Sequence, residues 1–231
     1  MFSEIAPRYD FLNHFLSLNV DRRWRRLLVE ESALECGGKV LDTCTGTGDI
    51  AIDFARRSRP GEVIGIDRSV EMLRIGTRKL NKAKLTNTVK LLEGDVLDLP
   101  FPENTFDVVS IGFGLRNLPD YPKGISEMAR VLVPGGRLMI LEFAPPPTGI
   151  FGRGYRLYLE RLLPVAGGLI SGSRAAYRYL CNSINDFLAE DAVAGLMKSA
   201  GFERFSARRL TGGIAFLYRG VKSQGEGMHG G

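Results

Sequence analysis

The sequence predicts a doubly wound α/β fold, a mostly parallel seven-stranded sheet with an antiparallel edge hairpin, and three observations predict it. Five runs rich in Val, Ile, Leu and Phe, at 39–44, 62–67, 89–92, 106–111 and 137–143, have the length and composition of buried strands. Stretches of helical periodicity at 49–57, 70–80 and 124–132 lie between several of them. Parallel neighbours require a crossover, so this alternation points to parallel strands with helices on both faces. Near the end, FERFSARR and IAFLYRGV are strand-like runs separated by LTGG, the signal of a hairpin on the sheet edge.

With 231 residues and a hydrophobic fraction of 44%, the chain is long enough for one large domain with a proper core. The expected domain spans 1–222: a helical amino-terminal cover (1–36), a cofactor-binding core (37–143), a helical lid insertion (144–190) and a final helix and hairpin (191–222), before a flexible glycine-rich tail (223–231). APPPTG, at 144–149, punctuates the exit from the fifth strand into the lid. No window approaches the ~20 apolar residues of a membrane span, and the amino terminus lacks the apolar block of a secretory signal, so a cytoplasmic chain is expected. Cys36, Cys44 and Cys181 form no CxxC pair, and His14 and His229 lie at opposite ends, which excludes a disulfide framework and a zinc site. A net charge of +5 suits an anionic partner or solubility alone.

VLDTCTGTGDIAIDF, at 40–54, runs from the first strand through two glycines into a helix. Gly46, Gly48 and Ala51 satisfy GxGxxG/A, and Asp67 ends the second strand about twenty residues on, the spacing of a carboxylate that grips a ribose diol. NAD, FAD and S-adenosylmethionine all bring a ribose to such a place. Charge separates them. A dinucleotide lays its pyrophosphate on the helix amino terminus, yet Asp49 stands at that turn, Asp42 precedes the loop and Asp95 follows the third strand in GDVLDLPF. A carboxylate about 4 Å from a phosphate costs on the order of 4 kcal/mol at a surface-like dielectric. S-adenosylmethionine, with a sulfonium, an ammonium and one carboxylate, suits the acidic mouth better. Asp49 taken alone is equally well explained as a helix-start residue. Thr45 and Thr47 bind the ligand or shape the turn, and Cys44 has no basic neighbour that would make it a nucleophile. Met72 and Met128 lie at helical spacing among apolar residues and belong to the core.

The chain resembles the ubiquinone/menaquinone biosynthesis C-methyltransferases of the UbiE/MenG type, within the class I S-adenosylmethionine-dependent methyltransferases. MFSEIAPRYDFLNHFLSL, DRRWRR, LDTCTGTGD, GIDRSVEML, GDVLDLPFPENTFD, FGLRN, RVLVPGGRLMILEF, AYRYLCNSI and LTGGIAFLYRGVK carry the resemblance. It implies cofactor contacts at Asp42, Thr45, Gly46, Thr47, Gly48, Asp67, Arg68, Asp95, Val96 and Gly112. Asp67 would take the ribose hydroxyls, and Asp95 with the Val96 backbone the adenine edge. Gly112 stands where many relatives have Ser, Val96 replaces a smaller or polar residue, Tyr218 stands where His is frequent, and Leu188 where Pro is usual.

The resemblance also implies methyl transfer to a ring carbon of a polyprenylated quinol. The protein then has to align sulfur, methyl and carbon, exclude water, and help the neighbouring phenol lose its proton. Arg116 and Asn117 in FGLRN are the leading candidates: the permanently charged Arg116 for phenolate stabilisation or water positioning, or else for an ion pair that braces the loop, and Asn117 to orient a quinol oxygen. Tyr9 and Asp10 are second choices for catalysis, Asp10 as a base, with capping and packing as their other reading.

DRRWRRLL sets Arg22, Arg23, Arg25 and Arg26 around an apolar stripe of Trp24, Leu27 and Leu28. The lid repeats the theme with Arg153, Arg156, Arg161, Arg174 and Arg178 among Tyr155, Tyr158, Tyr177 and Tyr179. These are solvated faces, or contacts with anionic lipid on the inner face of a membrane. His14 reads as a surface or packing residue. No nucleic-acid module is recognisable, and assembly as a homodimer or within a quinone-biosynthetic complex stays open. An NAD-dependent oxidoreductase, an RNA methyltransferase and a non-catalytic scaffold are the rival readings.

Overall fold

The computed structural model describes residues 17, 19–147, 149–162 and 181–224. Helix α1 (Asp21–Ser32) precedes β1 (Lys39–Thr43), α2 (Asp49–Arg57), β2 (Glu62–Asp67), α3 (Val70–Ala83), β3 (Val89–Glu93) and β4 (Phe106–Gly112). A 3-10 turn (Leu115–Asn117) leads into α4 (Tyr121–Val131) and β5 (Leu132–Phe143). Helix α5 (Gly149–Leu157) runs into a π-helical turn (Tyr158–Leu162), and α6 (Glu190–Ser199), β6 (Phe202–Leu210) and β7 (Ala215–Lys222) follow. The predicted contacts of Tyr9, Asp10, His14, Arg174, Tyr177, Arg178, Tyr179 and the tail from 225 onward lie outside the described residues.

The seven strands form one sheet in the order β3-β2-β1-β4-β5-β7-β6. Pairs from β3 to β5 are parallel, and β7 runs antiparallel between β5 and β6. Successive residues point to opposite faces. Val40 therefore packs with Trp24, Leu28 and Phe54 of α1 and α2 on one side, while Leu41 packs with Ile125, Met128 and Met197 of α4 and α6 on the other. Burial on both faces is why β1, β4 and β5 read as nearly unbroken apolar runs. Chain order reverses between β1 and β4, and crossovers leave that point in opposite directions, opening a crevice at the carboxyl ends.

Helix starts follow local chemistry. Ser69 caps α3 by accepting from the Met72 amide, and Asp120 caps α4 by accepting from the Lys123 amide at 2.9 Å. Helix α4 begins three residues ahead of the expected start, because Asp120 with Pro122 in the first turn is a start signal stronger than the apolar periodicity that begins at 124. Strand β5 begins earlier as well, taking in Pro134 to Gly136, and its pairing with β4 shifts register between Phe106 and Val108 to absorb them.

Three of the four arginines around Trp24 are exposed, but Arg25 is buried. Trp24 is 1% exposed, and its indole N–H donates to the Thr211 hydroxyl at 3.0 Å in the turn between β6 and β7. Arg208 pairs with Glu31, and Arg137 donates to the Ala33 carbonyl, so α1 is fastened to the antiparallel edge. Trp24→Ala is expected to lower stability by about 3–5 kcal/mol, the cost of a large aromatic cavity. Urea unfolding followed by far-ultraviolet circular dichroism checks this.

Candidate active site at the sheet crevice

A cavity of about 490 Å³ opens at the carboxyl ends of β1, β2 and β4 and beside the loop after β3. Asp67, Arg68, Asp95, Val96, Phe113 and Asn117 line it, with Gly46 of the glycine loop. Ile66, Met72 and Leu118 add apolar wall. Met72 is thus both core, as expected, and cavity wall. Cys44 and Phe113, the residues just after β1 and β4, have positive φ angles of 51° and 57°. Neither is glycine, so each holds a backbone conformation costing on the order of 1 kcal/mol or more, and both face the crevice.

Asp42 lies one residue before the end of β1 and has almost no contact with water. The Thr45 hydroxyl donates to one of its oxygens at 2.6 Å and the Ser110 hydroxyl of β4 to the other at 2.7 Å. Burial raises its pKa to about 6 against these bonds. Thr45 therefore shapes the turn, and Asp42 supports the cavity from behind, without lining it. The Gly46 amide donates to Asp67 at 2.8 Å and the Ser69 amide to its other oxygen at 2.8 Å. Burial still pushes the Asp67 carboxyl up, with these backbone donors opposing. Gly48 starts α2 at a φ of 80°, a left-handed conformation that glycine adopts without strain. Asp95 accepts from the Leu97 amide at 3.0 Å, and Arg68 lies 3.7 Å from it at the exposed rim.

Asp49 does not contribute to the acidic mouth as expected. It faces Lys79 at 2.7 Å and Arg25 at 3.4 Å, and it is absent from the cavity wall. Lys79 also donates to the Thr47 hydroxyl at 2.8 Å, so Thr47 is turned toward α3. The negative character of the crevice rests on Asp42, Asp67 and Asp95. Their effect is visible at Cys44, whose thiol is pushed up by burial and then by Asp67, Asp42, Asp95 and Glu142, which leaves it inert as a nucleophile. At Gly112, a β-carbon would meet Ile50 Cδ1 at 2.2 Å. Any side chain there is directed at α2, so only the Gly112 backbone is available to a ligand.

Within the 3-10 turn, Asn117 lines the cavity and donates to the Phe113 carbonyl at 3.3 Å. The Arg116 guanidinium is buried and bonds Glu142 at 2.5 Å and the Phe113 carbonyl at 2.7 Å. The Arg116 amide also donates to Glu142, as does that of Phe143. This is the bracing ion pair weighed for Arg116. The loop after β3 is held from α4: Arg130 donates to the Leu99 and Phe101 carbonyls and pairs with Glu127, which accepts from the Leu99 amide. Ser110, Glu142, Lys79 and Arg130 were missed from sequence, and Arg25 was read as part of a charged face where the structure makes it a buried partner of Asp49. Glu142 alone had a visible signal, a lone acid in the apolar run RLMILEF.

The chain matches the ubiE/COQ5 methyltransferase family over residues 1–222. The chain belongs to this family. A relative from Thermus thermophilus named demethylmenaquinone methyltransferase is 49% identical over 95% of the chain and 99% of its own length. One from Geobacter sulfurreducens, named ubiquinone/menaquinone biosynthesis C-methyltransferase UbiE, is 46% identical over 96% of the chain and 87% of its own length. Among solved structures, a SAM-dependent methyltransferase from Aquifex aeolicus superposes with a TM-score of 0.62 at 21% identity, covering 85% of this chain and 88% of that one. A SAM-dependent methyltransferase from Thermotoga maritima gives 0.67 at 20% identity, covering 96% and 98%. The seven-stranded sheet is thus the methyltransferase fold, and membership of the ubiE/COQ5 family makes this chain a methyltransferase.

The Asp42 environment makes a pH prediction. Its folded pKa, about 6, exceeds the ordinary 3.8, so the folded protein binds the extra proton between these values and is stabilised as pH falls through them. Above pH 6 that contribution is gone. Asp42→Asn removes the titration, so its stability relative to the parent is expected to rise by about 2 kcal/mol between pH 4 and pH 7. Denaturant titrations of both proteins across that range measure the difference.

Proposed function

We propose that this member of the ubiE/COQ5 family methylates a ring carbon of a polyprenylated quinol, with S-adenosyl-L-methionine as donor. The observation that carries the reading is the set of carboxylates at successive strand ends: Asp67 and Asp95 line one cavity, and Asp42 lies buried behind it. Such a site disfavours an anion and suits an onium. The names of the relatives supply the acceptor class.

The residues present fit the cofactor. Asp67, anchored by two amides, has lone pairs left for ribose hydroxyls. Asp95 and the Val96 amide, beside Ile66 and Met72, make a polar edge with apolar walls for adenine. The backbone of Gly46, Gly48 and Gly112, and Arg68 at the rim, complete the set, while Thr45 and Thr47 shape the loop. When bound, the cofactor supplies an electrophilic methyl group on a positive sulfur. The protein's share is to hold the ring carbon in line and keep water out. Asn117 orients a quinol oxygen from the cavity wall. Arg116 sets the turn that carries Asn117 and contributes its fixed charge to any phenolate. Tyr9 and Asp10 remain proposed second-rank contributors, Asp10 as a proton acceptor.

A long prenyl tail favours contact with a bilayer. No described helix is long and apolar enough to cross a membrane. Helix α5 instead displays Ile150, 88% exposed, and Leu157, 57% exposed, seven residues apart on one face with exposed Arg153 and Arg156. Apolar tips among arginines suit shallow insertion into an anionic leaflet.

Incubation with labelled S-adenosylmethionine and a lipid extract, with mass spectrometry of the products, tests the reading. A quinol heavier by one methyl group is expected, and label that enters no quinol would sink it. Asp67→Ala is expected to weaken cofactor binding at least tenfold by calorimetry, from the loss of charge-assisted hydrogen bonds. Arg116→Ala is expected to lose turnover and, because it leaves Glu142 buried without its partner, to lower stability by about 3–5 kcal/mol in urea unfolding. Flotation with phosphatidylglycerol vesicles should recover the protein at low salt and lose it at high salt, and Ile150→Asp with Leu157→Asp should abolish recovery.

A further inference from the structure

The glycine loop has more conformational freedom to lose than any other part of the site. Gly46 and Gly48 hold φ angles of 57° and 80°, and glycine gives up more freedom on folding than other residues do. Such a loop binds tightly when something other than the ligand holds its shape. Its near half is held by β2: the Thr45 amide donates to the Ile66 carbonyl at 3.0 Å, and the Gly46 amide to Asp67 at 2.8 Å. Its far half, Thr47 to Asp49, is reached from α3.

The Lys79 ammonium donates to the Thr47 hydroxyl at 2.8 Å and to one Asp49 oxygen at 2.7 Å. Those two residues flank Gly48, so one nitrogen straddles the left-handed turn and holds it from both sides. An ammonium carries three donors on a compact head, which suits two acceptors set so close together. Gly76 brings α3 within reach, three residues before Lys79 on the same helix face. A β-carbon at 76 would meet the Thr47 carbonyl oxygen at 3.1 Å and Leu91 Cδ1 at 2.6 Å. Arg25 of α1 faces the other Asp49 oxygen at 3.4 Å and is itself paired with Asp21 at 2.7 Å. Asp21, Arg25, Asp49 and Lys79 alternate in sign, so together they add no net charge to the acidic crevice. Neither Lys79 nor Arg25 lines the cavity.

We propose that Lys79 is a positioning residue for S-adenosyl-L-methionine. It shapes the turn at Gly48 from behind the cavity and so sets cofactor affinity without touching the cofactor. Gly76 supplies the spacing, and Arg25 gives α1 a second hold on Asp49. This rests on the cofactor reading above and deepens it, since it puts a determinant of affinity on α3, outside the cavity wall. The Thr47 hydroxyl then acts on the cofactor through the loop backbone, with Lys79 as its partner.

The test is a double-mutant cycle in the full chain, read by calorimetry with S-adenosylmethionine. Lys79→Met is expected to raise the cofactor Kd about tenfold, the worth of one loop residue left for the ligand to order. Thr47→Val removes the acceptor and no charge, and it should weaken binding in the same direction. The double variant should bind no more weakly than Lys79→Met alone. With lipid extract as acceptor, Lys79→Met should raise the cofactor KM and keep a maximal rate within about twofold of the parent. Additive losses in the cycle place the Thr47 hydroxyl on the ligand and overturn the inference. Unchanged affinity in a folded Lys79→Met overturns it too, as does a maximal rate that falls along with affinity. Thr47→Val and Gly76→Ala leave every charge in place and decide the matter should Lys79→Met not fold: weakened binding in both supports the role, and unchanged affinity in either removes it. A parent that binds no S-adenosylmethionine sinks the cofactor reading and this inference with it, whereas a parent that binds it and methylates no quinol sinks the quinol reading alone.

Discussion

One carboxylate sealed from water holds the sheet together where it opens. Asp42 joins β1 to β4 through Ser110 and fixes the first turn of the glycine loop through Thr45, so the two middle strands and the loop share one anchor. The strands end at Thr43 and Gly112, and the first residue beyond each, Cys44 and Phe113, bends into a left-handed conformation. A buried charge with two hydroxyl partners is costly to misplace, which favours a single arrangement of the crevice. Everything that lines the cavity is positioned relative to that anchor.

A second layer of buried or half-buried charge surrounds the first. Arg116 with Glu142 braces the turn after β4, Arg130 with Glu127 grips the loop after β3, and Lys79 with Arg25 holds the start of α2 through Asp49. Each pair reaches across from a different helix or strand. The loops that carry the site are therefore held by rigid elements behind them, and among the described residues Asp67 and Asp95, which face the cavity, have no close lysine or arginine apart from the rim pair of Asp95 with Arg68.

Much of the fold was legible because its cause is local. Helix α2 matches its periodicity residue for residue, and the hairpin was announced by LTGG between two strand-like runs. Boundaries shifted where one residue outweighs a pattern, as Pro122 does at the start of α4. In the site, acids at strand ends could be read from sequence because strand and acid are both visible there. Their partners could not. Ser110 is 68 residues from Asp42, and Glu142 is 26 from Arg116. Asp49 shows the consequence, since its neutralisation by Lys79 and Arg25 depends on how α1 and α3 dock, which no spacing rule reveals.

The placement of β7 affects how the chain is made. Strand β5 leaves the ribosome long before its outer neighbour, because the strand that covers its edge is β7, some seventy residues later. Until then a twelve-residue, largely buried strand presents bare amides and carbonyls. Nascent or truncated chains are therefore exposed at that edge, and chaperone demand should peak between the synthesis of residue 143 and that of residue 215.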